Sequence, residues 1–167
     1  MQGNIGRVGV LLDQGVAVDS RGGAQRTPLM LASFFGNSAV AALLLDRGAD
    51  VNAESVSGRT PATEASAQGH LDILQLLDSR EADIHHIDQD GYSSLLWAAL
   101  YDRLPVCEYL MAASNDNETA LTHYGRNAYP RSSPETKALR VAALEAWWAA
   151  GRRCSGAATS AGRGAVR

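Results

Sequence analysis

The chain has 167 residues, a formal net charge of -3 and a hydrophobic fraction of 46%. This length fits one domain, or one domain with a tail, and the apolar content is large enough for a packed core. No apolar run approaches the roughly 18 residues that a membrane-spanning helix needs, and two cysteines are too few for a disulfide framework. We therefore expect a reduced protein of the cytoplasm, or of the nucleus, without a membrane partner.

Charge is distributed unevenly along the sequence. Residues 1–124 carry 16 acidic and 7 basic side chains, whereas residues 125–167 carry 2 acidic and 8 basic side chains. A basic end on an acidic body is one pattern of nucleic-acid binding, and arginines that only keep a tail in solution produce the same pattern. The basic end therefore leaves a nucleic-acid-associated accessory role open as an alternative function.

The pattern of apolar and capping residues along the sequence repeats with a period of 33 residues. Aligned columns hold similar residues in successive units: Thr27, Thr60 and Ser93; Ala32, Ala65 and Ala98; and Leu11, Leu44, Leu77 and Leu110. The first full unit predicts a helix from Pro28 to Phe35 that ends at Gly36, and a second helix from Ser38 to Arg47. One such helix pair cannot bury its apolar side alone, so the pattern predicts a stack of pairs.

Three stretches match different segments of one known repeat motif: TPLMLA at residues 27–32, LLLDRGADVN at 43–52 and GHLDILQLL at 69–77. In these stretches the protein resembles the ankyrin repeat family. The resemblance implies an all-α solenoid of stacked helix-turn-helix units with protruding β-turn fingers. We expect the ankyrin repeat domain to cover residues 1–117, with a truncated half repeat at 3–20 and full repeats at 21–53, 54–86 and 87–117.

The later repeats depart from the family pattern. The second unit has Ala62 and Thr63 where the family has Leu and His, so we expect its first helix to pack less tightly. Glu81 stands where the first unit has Gly48, and a left-handed Glu81 would carry about 1–2 kcal/mol of strain. The third unit starts with Ser93 in place of Thr. We expect these weaker repeats to open locally more readily than the first full repeat.

The repeat pattern fades after Asn117. We predict a loop at residues 118–133 and a helix at 134–150, because Ser133 and Pro134 are suited to cap and start a helix. This helix has an apolar face and is expected to cap the last repeat, with partner binding as the alternative. Residues 151–167 consist mainly of Gly, Ala, Ser and Arg, and this shortage of apolar bulk predicts a disordered tail.

No arrangement of residues in the sequence predicts catalysis. His85 and His86 lie near acidic residues but lack a fixed metal-ligand spacing, so solvated positions on a turn explain them better. Cys107 falls in a core-facing column, and Cys154 has no histidine placed to activate it. We therefore expect no enzyme, no catalytic residue, no metal and no cofactor.

The resemblance implies that a partner protein binds the concave face, which the turn tips and the short first helices form. The candidate positions on this face are Arg26, Phe34, Phe35, Val56, Arg59, Gln68, Gln89, Asp90, Tyr92 and Tyr101. Aromatic residues and arginine carry much of the energy of protein interfaces, which favours a stripe of Phe34, Phe35, Arg59, Tyr92 and Tyr101. Alternatively, one phenylalanine packs on the neighbouring short helix. We expect a non-enzymatic scaffold or adaptor that binds another protein.

The truncated first unit predicts a second contact surface. Val8, Leu11 and Leu12 would be exposed on its single helix, and exposed apolar patches of this kind favour self-association. The acidic repeat body argues against nucleic acid on the concave face. A protein partner and a second copy of the protein are therefore the expected partners.

Overall fold

The structure is a computed structural model that describes residues 2–101 and 103–113. Among these residues there are seven α-helices and no β-strand, which confirms the all-α prediction. The helices are α1 (Gln2–Asp13), α2 (Pro28–Phe35), α3 (Ser38–Asp46), α4 (Pro61–Gln68), α5 (Leu71–Asp78), α6 (Ser94–Leu100) and α7 (Leu104–Ala113). The predicted loop at 118–133, helix at 134–150 and tail at 151–167 lie outside the described residues and stay predictions.

The helices form an inner row and an outer row. In the inner row, α4 packs between α2 and α6, whereas in the outer row α1, α3, α5 and α7 pack in succession. Each inner helix also packs on the outer helix that follows it in sequence. This arrangement is the stack of helix pairs that the 33-residue period predicts. Within the described residues, α1 is an outer helix without an inner helix before it.

Caps and left-handed residues set the bounds of the inner helices. The side-chain oxygens of Thr27, Thr60 and Ser93 each accept a hydrogen bond from the backbone N–H three residues further on, at 3.2–3.3 Å. Gly36 ends α2 in the left-handed conformation, with φ of 73°. Glu81 is left-handed as well, with φ of 64°, as the repeat register predicts.

The core lies between the two rows of helices. Its fully buried side chains include Leu29, Leu44, Ile73, Leu74, Leu77 and Leu110. Leu44, Leu77 and Leu110 come from one aligned apolar column of the sequence, so the period that predicts the helices also predicts part of the core. Cys107 is buried too, which confirms its predicted place in a core-facing column.

The expectation that the first helix of the second repeat packs less tightly is wrong. Every residue of α4 from Pro61 to Ala67 is buried, including Ala62 and Thr63. Because α4 packs between α2 and α6, its small side chains let both neighbouring backbones come close. The short side chains therefore give close packing here, where the sequence alone suggests a loss of contacts.

Fingers with a repeated hydrogen-bond pattern precede the inner helices. They comprise residues 22–26, 55–59 and 88–92. In each finger, the backbone N–H of the first residue donates to the carbonyl of the last, at 2.9–3.0 Å. Backbone bonds of 3.1 Å join successive fingers, the first from Val56 to Ala24. This pattern fixes the spacing of the fingers, so that their last residues, Arg26, Arg59 and Tyr92, form a row.

A partly buried hydrogen bond between α5 and α7 is expected to make the stability of the stack depend on pH. The Tyr109 hydroxyl donates a hydrogen bond of 2.5 Å to Asp78 Oδ2. This bond, with burial and the carboxylate charge, raises the pKa of Tyr109 from 10.0 to about 12. Because the folded-state pKa is the higher one, the stabilisation is complete below the unfolded value and is lost as the pH rises through about 12.

We therefore expect Tyr109→Phe to lower the free energy of unfolding near neutral pH, and the difference from wild type to shrink at strongly alkaline pH. Denaturant unfolding of both proteins over a series of alkaline pH values measures this difference. A spectrophotometric titration, wild type minus Tyr109→Phe, reports the phenol itself. A Tyr109 that ionises near the ordinary tyrosine pKa of about 10 would contradict the hydrogen bond to Asp78.

Candidate functional site

The inner face is the surface that the fingers and the inner helices share, and two rows of its residues meet there. The finger row is Arg26, Arg59 and Tyr92, and the row on the inner helices is Leu31, Glu64 and Trp97, again 33 residues apart. Arg26 Nη2 lies 2.7 Å from Glu64 Oε1, and the Arg59 guanidinium lies 4.0 Å from the centroid of the Trp97 ring. Each arginine therefore reaches the inner helix of the next layer.

An aromatic group occupies the later layers of this face. Trp97 stacks with Tyr92, at 4.7 Å between ring centroids, and with Tyr101, at 5.9 Å. Trp97 Nε1 donates a hydrogen bond of 2.8 Å to Asp88 Oδ2, which fixes the indole ring. The structure thus brings the predicted residues Arg59, Tyr92 and Tyr101 together, and Trp97 joins them.

Phenylalanines occupy the first layer of the face. The Arg26 guanidinium lies 5.4 Å from the ring centroid of Phe34, a cation–π contact. Phe34 in turn meets Phe35 edge to face, with 5.1 Å between the centroids. Phe34 is half-buried and belongs with Arg26, whereas Phe35 is 66% exposed.

Two buried carboxylates hold the arginines in place. Glu64 is only 1% exposed, and its Oε2 lies 3.9 Å from Arg59 Nη1. Asp88 is also buried; its Oδ1 accepts hydrogen bonds from the backbone N–H groups of Asp90 and Tyr92. Asp88 Oδ2 lies 3.9 Å from Arg59 Nε. Buried charges are costly unless they are paired, so these contacts explain why the carboxylates and the guanidiniums occur together.

We call these side chains the inner-face cluster: Arg26, Phe34, Arg59, Glu64, Asp88, Tyr92, Trp97 and Tyr101. The other predicted site residues are not members of this cluster, although Phe35 contacts Phe34. Val56, Gln89 and Asp90 are exposed on the fingers, and Gln68 is half-buried at the end of α4. Of these four, Asp90 contacts the cluster, because its backbone N–H donates a hydrogen bond of 3.1 Å to Asp88 Oδ1. Among residues 2–101 and 103–113, no side-chain hydrogen bond, ion pair or ring contact joins Val56, Gln68 or Gln89 to the cluster.

Phe35 lines a different feature, a groove between α1 and α2. The groove has a volume of about 270 Å³, and Val8, Leu11 and Leu31 also line it. It exists because, in the described part of the protein, no inner helix lies on this side of α2. Leu11 and Phe35 are both exposed there.

The residues predicted from sequence include neither the buried finger residue Asp88 nor the inner-helix residues Glu64 and Trp97. Glu64 and Trp97 belong to the same 33-residue column as Leu31, on the inner helices directly beside the finger row. Following that column through the three units would have placed both residues on the inner face. Their burial and pairing depend on neighbours in other layers, which the column does not specify.

Other chemistry is limited in the described part of the protein. Among residues 2–101 and 103–113, no group of three or more His, Cys, Asp and Glu could hold a metal ion. His85 is exposed, whereas His86 is half-buried, with its Nε2 2.9 Å from the Gly58 carbonyl. No helix among these residues is long and apolar enough to cross a membrane. The basic region behind the nucleic-acid alternative, residues 125–167, lies outside the described residues.

Comparison with known proteins identifies the repeat type. The Ankyrin repeat family model matches residues 25–55, which include α2 and α3 and reach the fingers on either side of this helix pair. No curated protein matches the sequence. Ankyrin repeats are typically non-enzymatic modules, and this repeat suggests a module for protein–protein interaction. The protein therefore has an ankyrin repeat at residues 25–55, within an all-α stack of ankyrin-like helix pairs.

Proposed function

We propose that the protein is a scaffold or adaptor that binds a partner protein on its inner face, in the cytoplasm. The observation that supports this most is Arg59 held against Trp97, beside the exposed ring of Tyr101. Arginine and aromatic residues are the usual anchors of protein interfaces. Because stacking and buried carboxylates already restrain these side chains, a partner loses little side-chain entropy by binding them.

The exposed side chains of the outer row of helices are less suited to binding a partner than those of the inner face. Its exposed side chains include Asp46, Gln75 and Glu108. Two exposed arginines there form ion pairs between layers, Arg47 with Asp13 at 2.7 Å and Arg80 with Asp46 at 2.9 Å. Exposed pairs of this kind contribute little energy, and charged side chains are depleted at the centres of interfaces.

The test compares two double variants in pull-downs from native extract, read by mass spectrometry. Phe34→Ala with Tyr101→Ala removes two partly exposed rings of the inner face; Tyr92 is kept because it is stacked and half-buried. Gln75→Ala with Glu108→Ala is the matched control on the outer row. We expect both variants to keep their helical circular dichroism and only the inner-face variant to lose the specific partner proteins. Equal capture by both variants would contradict the proposal.

A second candidate role is self-association through the groove between α1 and α2, with a second copy of this protein as occupant. Exposed apolar side chains on both walls favour it, because a contact between two copies would bury such side chains on each of them. We expect Leu11→Asp to shift sedimentation toward the monomer, and Ala39→Asp on the outer row to leave it unchanged. A concentration-independent monomer for wild type would overturn self-association.

A further inference from the structure

The guanidinium of Arg59 has hydrogen-bonding capacity that its neighbours do not use. Its nearest carboxylate oxygens, on Glu64 and Asp88, are both 3.9 Å away, beyond the usual 2.7–3.2 Å of an N–H···O bond. No acceptor among the described residues lies within hydrogen-bond distance of its side-chain nitrogens. The side chain is nevertheless restrained, because its guanidinium lies over the Trp97 ring, 4.0 Å from the centroid, and between two carboxylates.

The two carboxylates differ in how far their own bonds are satisfied. Asp88 accepts three hydrogen bonds, two from backbone N–H groups and one from Trp97 Nε1. Glu64 Oε1 accepts one from Arg26, whereas Glu64 Oε2 is closed to solvent and has no hydrogen-bond partner in the part of the chain that the structure describes. The unused capacity of the cluster is therefore an acceptor on Glu64 and several donors on Arg59.

Solvent exposure decides whether a partner can use the acceptor on Glu64 or the donors on Arg59. Glu64 Oε2 is buried, so a partner cannot touch it while the surrounding side chains stay in place. The side chain of Arg59 is 26% exposed and that of Arg26 is 30% exposed, so a partner can reach both. A partner on this face therefore meets donors and must supply the acceptor.

We propose that Arg59 is the anchor for a carboxylate of the partner. This carboxylate belongs to an Asp or Glu side chain or to the partner's carboxyl terminus. This inference rests on the inner face being the binding surface. A carboxylate matches the planar fork of a guanidinium with two parallel charge-assisted bonds. Arg26 and Arg59 offset the charges of Glu64 and Asp88, so the incoming carboxylate meets a neutral cluster with free donors. The opposite chemistry, a cationic partner drawn to the exposed acids Glu54 and Asp90, is the competing outcome.

The experiment selects binders to the full-length protein from random peptide libraries, one with free carboxyl termini and one with internal random segments. Affinities of the selected peptides are measured by calorimetry. Each peptide is compared with its amide form, in which Asp becomes Asn, Glu becomes Gln or the carboxyl terminus is amidated. The protein variants are Arg59→Gln, Arg59→Lys and, as matched control on the outer row, Arg80→Gln. Arg59→Lys keeps the charge beside Glu64, so it tests the fork geometry if Arg59→Gln folds poorly.

We expect carboxylate-bearing peptides to be enriched and the amide form to bind roughly tenfold or more weakly to wild type. The amide penalty should largely disappear in Arg59→Gln or Arg59→Lys and persist in Arg80→Gln. The library format that is enriched tells an Asp or Glu carboxylate from a terminal one. Enrichment of Lys and Arg, or an equal amide penalty in wild type and both Arg59 variants, would overturn the carboxylate anchor.

Failure of the binding surface itself gives a different result. Peptides whose binding tolerates Phe34→Ala with Tyr101→Ala bind elsewhere, and a selection that yields only such peptides, or none, overturns the inner face and the anchor together. Peptides that lose binding in that variant but tolerate the amide change overturn the anchor alone.

Discussion

Arg26→Met is expected to destabilise the fold by about 3 kcal/mol, because it leaves the Glu64 carboxylate buried without a hydrogen bond. Among the described residues, the Arg26 guanidinium donates the only hydrogen bond to the Glu64 side chain, at 2.7 Å to Oε1. Glu64 is 1% exposed, so water cannot replace that bond without a local opening. Met keeps much of the apolar stem of arginine and removes the charge. Denaturant unfolding measures the loss.

A double variant, Arg26→Met with Glu64→Met, separates the free-energy cost of an unpaired buried charge from the stabilisation that the ion pair provides. Replacing both Arg26 and Glu64 by Met removes the buried charge, so it should recover most of the stability that Arg26→Met loses. Arg80→Met is the matched control, because Arg80 pairs with Asp46 at the exposed outer row and is expected to cost under about 1 kcal/mol. An Arg26→Met protein as stable as Arg80→Met would show that Glu64 is not held in the way described.

Gly36→Ala is expected to cost about 2–3 kcal/mol, from two separate causes. Gly36 has φ of 73°, a conformation that residues with a Cβ adopt only under strain. A Cβ at this position would also lie 2.5 Å from His70 Cε1, so the imidazole ring of the next layer must move. Thermal or denaturant unfolding of the variant gives the sum of both terms.

Two further variants divide that sum. Gly48 is left-handed as well, with φ of 82°, but a Cβ there would meet nothing within 4 Å. Gly48→Ala therefore reports the backbone term alone, about 1 kcal/mol. Adding His70→Ala to Gly36→Ala should relieve the steric term only. Equal losses for Gly36→Ala and Gly48→Ala would contradict the packing of His70 against Gly36.

The helices and the core could be predicted from sequence because the repeat enforces them at every layer. The first helix was expected from Pro28 to Phe35 and is found there, and the second ends one residue before Arg47, the predicted end. Caps, glycines and apolar columns act within one helix pair, so a single unit of sequence holds the information. The row of Arg26 and Arg59 follows from the same register.

Contacts between layers were harder to predict. Small residues in α4 suggest weak packing until its two neighbours are known, since only the approach of α2 and α6 makes Ala62 fully buried. Glu64 pairs with an arginine 38 residues away in the preceding layer. The sequence does not specify which residues of neighbouring layers face each other. Phe35 turns to the groove because no described helix lies on that side of α2, which its neighbours in sequence do not indicate.

The most direct measurement is site-specific photocrosslinking with benzoylphenylalanine in place of single residues of the full-length protein. One position is Tyr101, 51% exposed on the inner face, and the other is Gln75, exposed on the outer row. We predict that the Tyr101 position crosslinks a defined set of proteins in native extract, that Arg59→Gln reduces the yield, and that the Gln75 position does not crosslink them. Crosslinks to the same proteins from Gln75 and not from Tyr101 would contradict binding on the inner face.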